Sequence, residues 1–191
     1  MRRFLCVITL CVLASVSAWS QSGRTFLPAS LSYLAPVGLL ADSLGAAPGI
    51  GFALGYEVQL DRHHWRIGAR GTWMQSKLGR GSDGSDFSEY MTTYYQLLAT
   101  ARFRAFKHGW TPYAQGEVGL GFLTLNELVN NMPIRIDEVS AVRGSYGGSL
   151  GVMIPLSDAI DIDVSGRYTY AAIDDGYGLL GVHAGVSYAL P

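Results

Sequence analysis

The residues best suited to chemistry are Asp163, Ser165, His183 and Ser187. A hydroxyl nucleophile, an imidazole base and a carboxylate that orients the base make a hydrolase triad. These four lie at matching phase on two neighbouring stretches near the carboxyl end. The same residue types also fill polar interiors, and a lone imidazole in such a row more often does that. No catalytic residue is assigned and no enzymatic activity is expected. Asp61, His63 and His64 are of metal-ligand types, but they share one tight turn with no fourth ligand beside them, and a structural zinc takes four. Asp83, Asp86 and Glu89 offer oxygens to a divalent cation. Their spacing matches no EF-hand loop, and Gly81-Ser-Asp-Gly-Ser85 reads as flexible chain. No metal or cofactor site is expected.

A larger set has one property in common. Glu57, Arg66, Arg70, Arg102, Arg104, Glu117, Arg143, Asp161, Asp163, Arg167 and His183 all sit at one phase of a two-residue alternation. Successive side chains on a strand point to opposite faces, so these residues share the same side of a sheet. Charges crowded there and removed from water must pair, because an unpaired buried charge is costly. Their expected work is structural: a plug of ion pairs and hydrogen bonds.

The alternation that positions them is clearest from Gly49 to Met74. Ile50, Phe52, Leu54, Tyr56, Val58 and Leu60 oppose Gly51, Ala53, Gly55, Glu57 and Gln59. After Asp61-Arg62-His63-His64 the pattern resumes, with Trp65, Ile67, Ala69, Gly71 and Trp73 against Arg66, Gly68, Arg70, Thr72 and Met74. This is a hairpin with one apolar and one polar face, and it sets Glu57 diagonally between Arg66 and Arg70. Six further stretches alternate: 27–37, 91–106, 113–122, 143–154, 160–170 and 180–188. Pro28 and Pro36 place the first of them at an edge or end.

Short connections (Asp61–His64, Lys107–Gly109, Ser157–Asp158) interleave with longer ones (Asp42–Pro48, Lys77–Glu89, Leu125–Val142, Ile173–Tyr177). The expected fold is all-β, an eight-stranded antiparallel up-and-down transmembrane β-barrel with both termini at the inner, periplasmic end. Leu128, Val129, Met132, Ile134 and Ile136 make the connection 125–142 too apolar for an idle loop. Either strands 5 and 6 continue past the membrane as a hairpin, or this surface meets a partner.

Composition narrows the class. The chain has 191 residues, is 49% hydrophobic and carries a formal net charge of −1. That length suits one domain, and that charge argues against a nucleic-acid partner, which calls for a basic face. Past the amino terminus no apolar run approaches the roughly 20 residues of a membrane helix. Arg2 and Arg3 followed by the apolar run Phe4–Val16 and the small residues Ser15, Ser17, Ala18 and Ser20 read as a cleaved signal peptide over 1–20. Cleavage after Ala18 or Ser20 fits, with the barrel domain expected over 21–191. Cys6 and Cys11 lie in that segment, so the mature chain has no thiol for disulfides or metal–thiolate chemistry.

A secreted soluble barrel of lipocalin type also alternates, with its apolar row turned inward. Three features favour the opposite sense. The polar row is rich in Gly and Arg, and the two lysines, Lys77 and Lys107, both fall in connections. No disulfide staples the mature chain. Aromatics of the apolar row gather near strand ends: Trp73, Tyr95, Phe122, Tyr146, Tyr168 and Tyr170 toward the outer ends, Trp65, Phe103 and Tyr188 toward the inner. Two such belts mark the interfaces of a bilayer.

The segments Gly49-Ile-Gly-Phe-Ala-Leu-Gly-Tyr56, Pro112-Tyr-Ala-Gln-Gly-Glu-Val-Gly-Leu-Gly-Phe122 and Gly181-Val-His-Ala-Gly-Val-Ser-Tyr188 resemble the small outer-membrane β-barrels: the membrane domain of OmpA-type proteins, with OmpX-like and opacity-type barrels alongside. The resemblance spans the whole expected mature chain. It implies the bacterial outer membrane as location, membrane lipid and lipopolysaccharide as partners, a monomer, and a structural or surface-interaction role in adhesion or envelope integrity. Some barrels of this size modify lipid A, which is the alternative activity. No peptidoglycan-binding module is expected after Pro191. Such barrels usually end in an aromatic residue, whereas this chain ends Tyr188-Ala-Leu-Pro191, leaving Tyr188 as the substitute.

Overall fold

The two-residue period of the sequence becomes an inside and an outside. In the strand Ile160–Ala171, Val164, Gly166 and Tyr168 are exposed, while Ser165, Arg167 and Thr169 between them are buried. The computed structural model describes residues 23–37, 47–60, 64–78, 89–106, 109–129, 132–172 and 177–190. They form β1 (Thr25–Val37), β2 (Gly49–Leu60), β3 (Trp65–Leu78), β4 (Glu89–Arg104), β5 (Thr111–Val129), β6 (Met132–Pro155), β7 (Ile160–Ala171) and β8 (Tyr177–Ala189). Each strand pairs antiparallel with its chain neighbours, and β8 returns to β1, closing an eight-stranded barrel.

Register fixes the barrel's size. Paired residues lead from Phe26 through Glu57, Gly68, Thr100, Glu117, Gly147, Thr169 and Leu179 back to β1 at Pro36, ten residues on (26 to 36). With about 3.4 Å per residue and about 4.8 Å between strands, that stagger over eight strands tilts them about 42° and gives a backbone radius of about 8 Å. A lumen so narrow is filled by side chains.

Burial is inverted relative to a water-soluble domain. The most enclosed large side chains include Arg66, Arg102, Arg167 and Glu57. Leu31, Leu54, Leu97, Val118, Leu150 and Val182 are each more than half exposed on the outer surface. A continuous apolar exterior of this kind is stable only against hydrocarbon.

The termini and the connections β2–β3, β4–β5 and β6–β7 lie at one end, here the terminus end; the other four connections define the loop end. At the terminus end the β6–β7 turn is closed by Ser157, whose Oγ accepts from the backbone N–H groups of Ala159 (3.3 Å) and Ile160 (3.1 Å). Gly109 follows β4 with φ of 71°, a left-handed conformation that disfavours other residues. The backbone N–H of Leu190 donates to Thr25 O at 2.8 Å, tying the last residues to the first strand.

At the loop end the strands run further than the alternation predicts. The hairpin alternative holds for the connection 125–142: β5 reaches Val129, paired with Met132 of β6. Between Leu123↔Ala141 and Leu125↔Ile136 one β5 residue faces four on β6, an irregularity in the ladder. Lys77 lies inside β3, exposed near its end, and not in a connection as its type suggested. Residues 1–22 fall outside the described residues, as do Asp61, His63, Asp83, Asp86 and Lys107.

Candidate functional site

The lumen gathers charged residues of five strands, β2, β3, β4, β5 and β7, into one network. Arg102, fully enclosed, is its hub. Its Nε donates to Gln115 Oε1 at 2.7 Å, Nη1 lies 3.1 Å from Asp163 Oδ2, and Nη2 lies 3.2 Å from Glu57 Oε1. The guanidinium also sits 4.5 Å from the centre of the Tyr113 ring, whose hydroxyl donates to Asp163 Oδ1 at 2.6 Å. The contact with Glu57 is one of charge and not of aligned hydrogen bonding, since both Glu57 oxygens and Arg102 Nη2 lack a hydrogen-bond partner. Arg66 pairs with Asp161 at 3.1 Å and stacks 3.5 Å over the ring of Phe26.

A second knot lies further along. Glu117 Oε1 accepts from Arg70 Nη1 (3.2 Å) and Gln115 Nε2 (2.6 Å), while Oε2 accepts from Arg167 Nε (2.8 Å) and Nη2 (2.6 Å). Arg70 is also 4.0 Å from Glu57. Glu57 is paired in register with Gly68, which places it between Arg66 and Arg70 along β3, yet its nearest charge is Arg102 on β4. A neutral chain follows: Thr72 Oγ1 donates to Gln96 Oε1 (2.8 Å), and Gln96 Nε2 and the Tyr94 hydroxyl donate to Ser145 Oγ at 2.6 and 3.3 Å.

Toward the loop end the lumen turns apolar. Leu34, Met74, Tyr94, Leu123, Ala171 and Leu179 form one buried cluster across it. Gly121 makes room for this cap, because a Cβ there would overlap the Tyr94 phenol. Alternation places Met74 in the polar row, and Tyr94, Leu98, Leu123 and Leu179 are inward residues that hydropathy alone does not assign there. Their phase was the available signal, since each sits an even number of residues from an inward polar neighbour.

Ten of the eleven lumen candidates face inward as their phase requires: Glu57, Arg66, Arg70, Arg102, Arg104 and Glu117 with Asp161, Asp163, Arg167 and His183. Arg143 does not join them. It shares the phase, but it lies beyond Ser145, the last β6 residue paired with β7, and its side chain is exposed, with Nη1 donating to Val142 O at 3.4 Å. Arg104 is enclosed, and its Nε has no hydrogen-bond partner.

The triad candidates do not assemble. Ser165 stands opposite His183 in register, but neither ring nitrogen of His183 has a hydrogen-bond partner, nor does Ser187 Oγ. Both Asp163 oxygens are engaged by Tyr113 and Arg102. At the terminus end His64 Nδ1 meets Arg104 O at 2.8 Å and its ring stacks on Phe103. Among the described residues no cluster of three His, Cys, Asp or Glu side chains is arranged for a metal ion.

Trp65, Tyr95, Phe103, Tyr146, Tyr168 and Tyr188 are exposed on the outer surface; Trp73, Phe122 and Tyr170 are half-buried there. Trp65 and Phe103 are in contact toward the terminus end, with ring centres 5.1 Å apart. Toward the loop end, Phe52, Trp73, Tyr95 and Phe122 follow one another across four strands in register, and Tyr146 meets Tyr170 with centres at 5.1 Å.

An apolar exterior, a charged lumen and two aromatic bands form one arrangement, and residues 5–189 match the family model of the outer membrane protein beta-barrel domain. The chain belongs to this family. It is an outer-membrane β-barrel of the Gram-negative envelope. Among solved structures, this outer-membrane barrel is similar to Neisserial surface protein A, with 16% identity, a TM-score of 0.65, and 87% of this chain and 97% of that one covered. It is also similar to Ail of Yersinia pestis, solved with the heparin analogue sucrose octasulfate (19% identity, TM-score 0.53, coverage 88% and 100%). OprG of Pseudomonas aeruginosa is a third likeness (12% identity, TM-score 0.50, coverage 88% and 96%). These likenesses establish the fold. No curated protein matches the chain.

Proposed function

We propose that this barrel is a monomeric structural and surface-interaction protein, not a pore or an enzyme. The observation that carries this reading is the filling of the lumen, with two layers of buried ion pairs closed at the loop end by an apolar cap. A conducting path needs room along the axis, and ion pairs with packed side chains occupy it. In this reading residues 1–20 serve as the export signal, the terminus end faces the periplasm and the loop end faces outward. The aromatic bands at Trp65, Phe103 and Tyr188 and at Trp73, Tyr95, Phe122, Tyr146, Tyr168 and Tyr170 then rest at the two lipid interfaces, with lipopolysaccharide against the second.

The working surface is the tall hairpin of β5 and β6, backed by β4 as far as Glu89. Ail was solved with a polyanion, but the charge of this chain points elsewhere. Segments 38–48, 79–88 and 173–176 hold one cation, Arg80, against Asp42, Asp83, Asp86, Asp174 and Asp175. A partner for the loop end is therefore neutral or cationic, not a sulfated polysaccharide.

Planar-bilayer recordings and host-cell binding by whole bacteria test the proposal together. The expected outcome is no steady conductance, surface cleavage of intact cells confined to the loop end, and loss of binding when 126–141 is replaced by a short turn. Steady conductance, or full binding by the shortened barrel, would overturn it.

A further inference from the structure

One side of the lumen is left with polar atoms that the protein does not satisfy. His183 of β8 is 3% exposed and Ser187 is 1% exposed, yet neither imidazole nitrogen and not the Ser187 hydroxyl has a hydrogen-bond partner. Both line one lumen cavity, together with Pro28, Ser30, Arg70, Tyr113, Asp163 and Ser165. About 10 Å³ of it can hold the centre of a water-sized sphere, which is roughly what one water requires.

We propose that this cavity is an ordered-water site with His183 as its principal ligand. A neutral imidazole presents one N–H donor and one acceptor nitrogen. An anion could serve only the N–H and a metal cation only the bare nitrogen, whereas water can meet whichever nitrogen faces the cavity. Water both donates and accepts. The charges around the cavity are already committed: Arg70 Nη1 to Glu117, and the two Asp163 oxygens to Tyr113 and Arg102. Inward residues of β1 and β8 near the cavity are small apart from Pro28 and His183: Ser30, Ser32, Gly185 and Ser187. The lumen then holds water at the β1–β8 seam, while its ion pairs run among β2, β3, β4, β5 and β7. The Leu34, Met74, Tyr94, Leu123 and Leu179 cap makes that wet seam a blind one.

The test is a crystal structure of the full barrel extracted in detergent and soaked in bromide, read with two sets of variants. Expected is a bound species within about 3.2 Å of a His183 nitrogen that gives no bromine anomalous signal. A bromine peak there makes it an anion site and overturns the proposal, as does a cavity without bound density. Ser187→Val adds methyl groups to the cavity wall. Displacing a resident water strands His183, so the urea unfolding midpoint falls; in a dry cavity the same methyls improve packing and the midpoint rises. If Ser187→Val does not fold, His183→Gln and His183→Leu decide. Gln keeps a donor and an acceptor for the water and stays near wild type, while Leu falls below it. A midpoint for His183→Leu above wild type means that the imidazole had no partner to lose, and the proposal fails.

Discussion

The two ends of the lumen are filled by different means. Toward the terminus end Glu57, Arg66, Arg102, Asp161 and Asp163 interlock, each charge answering others on distant strands. Toward the loop end Leu34, Met74, Tyr94, Leu123 and Leu179 simply pack. Both fill the same tube, but they fail differently when damaged. Removing a packed methyl group leaves a void whose cost grows with its size. Removing one member of an ion-pair cluster leaves its partners charged, enclosed and unable to reach water. The charged end therefore depends on its partners being complete, and the apolar end on its volume being filled.

Arg102→Leu presses hardest on that contrast. It leaves Glu57 and Asp163 without their nearest guanidinium and Gln115 without its donor. The expected loss is about 3–5 kcal/mol, the usual cost of breaking a buried pair from one side. Urea titration of the barrel in lipid vesicles, followed by Trp fluorescence, measures it. A loss near that of a conservative apolar change would mean that water reaches these carboxylates, and the two ends would no longer differ in kind.

Leu179→Ala in the cap should cost somewhat less, about 2–4 kcal/mol by the usual cost of an enclosed Leu deletion. The same titration reads it. Leu179→Met, which keeps volume, should cost under about 1.5 kcal/mol. Equal losses for Ala and Met would show that volume is not what the cap supplies. Smaller still is the effect of removing a whole pair. Arg66→Met together with Asp161→Asn takes out both charges of one ion pair, and such a swap is often neutral. The double variant should lie within about 1 kcal/mol of wild type while Arg66→Met alone lies well below it, a coupling that a double-mutant cycle isolates.

How much of this could be read from the residues follows from what alternation encodes. A period of two assigns each side chain to a face, so the barrel and the inward set were legible, Glu57 between Arg66 and Arg70 included. It says nothing about which residues meet across the lumen. Arg102 reaches Glu57 on β2 and Asp163 on β7, and neither strand is adjacent to β4. Depth along the strand was also hidden. Tyr94 and Leu98 have apolar side chains at the inward phase, so hydropathy alone does not mark their facing; they face inward and are buried. The hairpin extension escaped firm assignment for a related reason: residues 125–141 lose the alternation that marks a membrane-facing strand, although the ladder continues to Val129 and Met132.

Arg143 puts the last of these points to the test, because it has the phase of Arg102 without its surroundings. Charge, parity and residue type are the same; depth differs. It lies past the end of the β6–β7 ladder with its side chain exposed, and among the described residues that side chain donates to the adjacent Val142 carbonyl. Water solvates the guanidinium there, so truncation strands no partner and opens no cavity. Arg143→Ala should leave the unfolding midpoint unchanged within error. If it lowers the midpoint as Arg102→Leu does, the charged layer extends to the loop end and the division of the lumen into two halves is wrong. If it changes only binding at the cell surface, phase along a strand and depth in the membrane are separate properties, and only the first was written in the alternation.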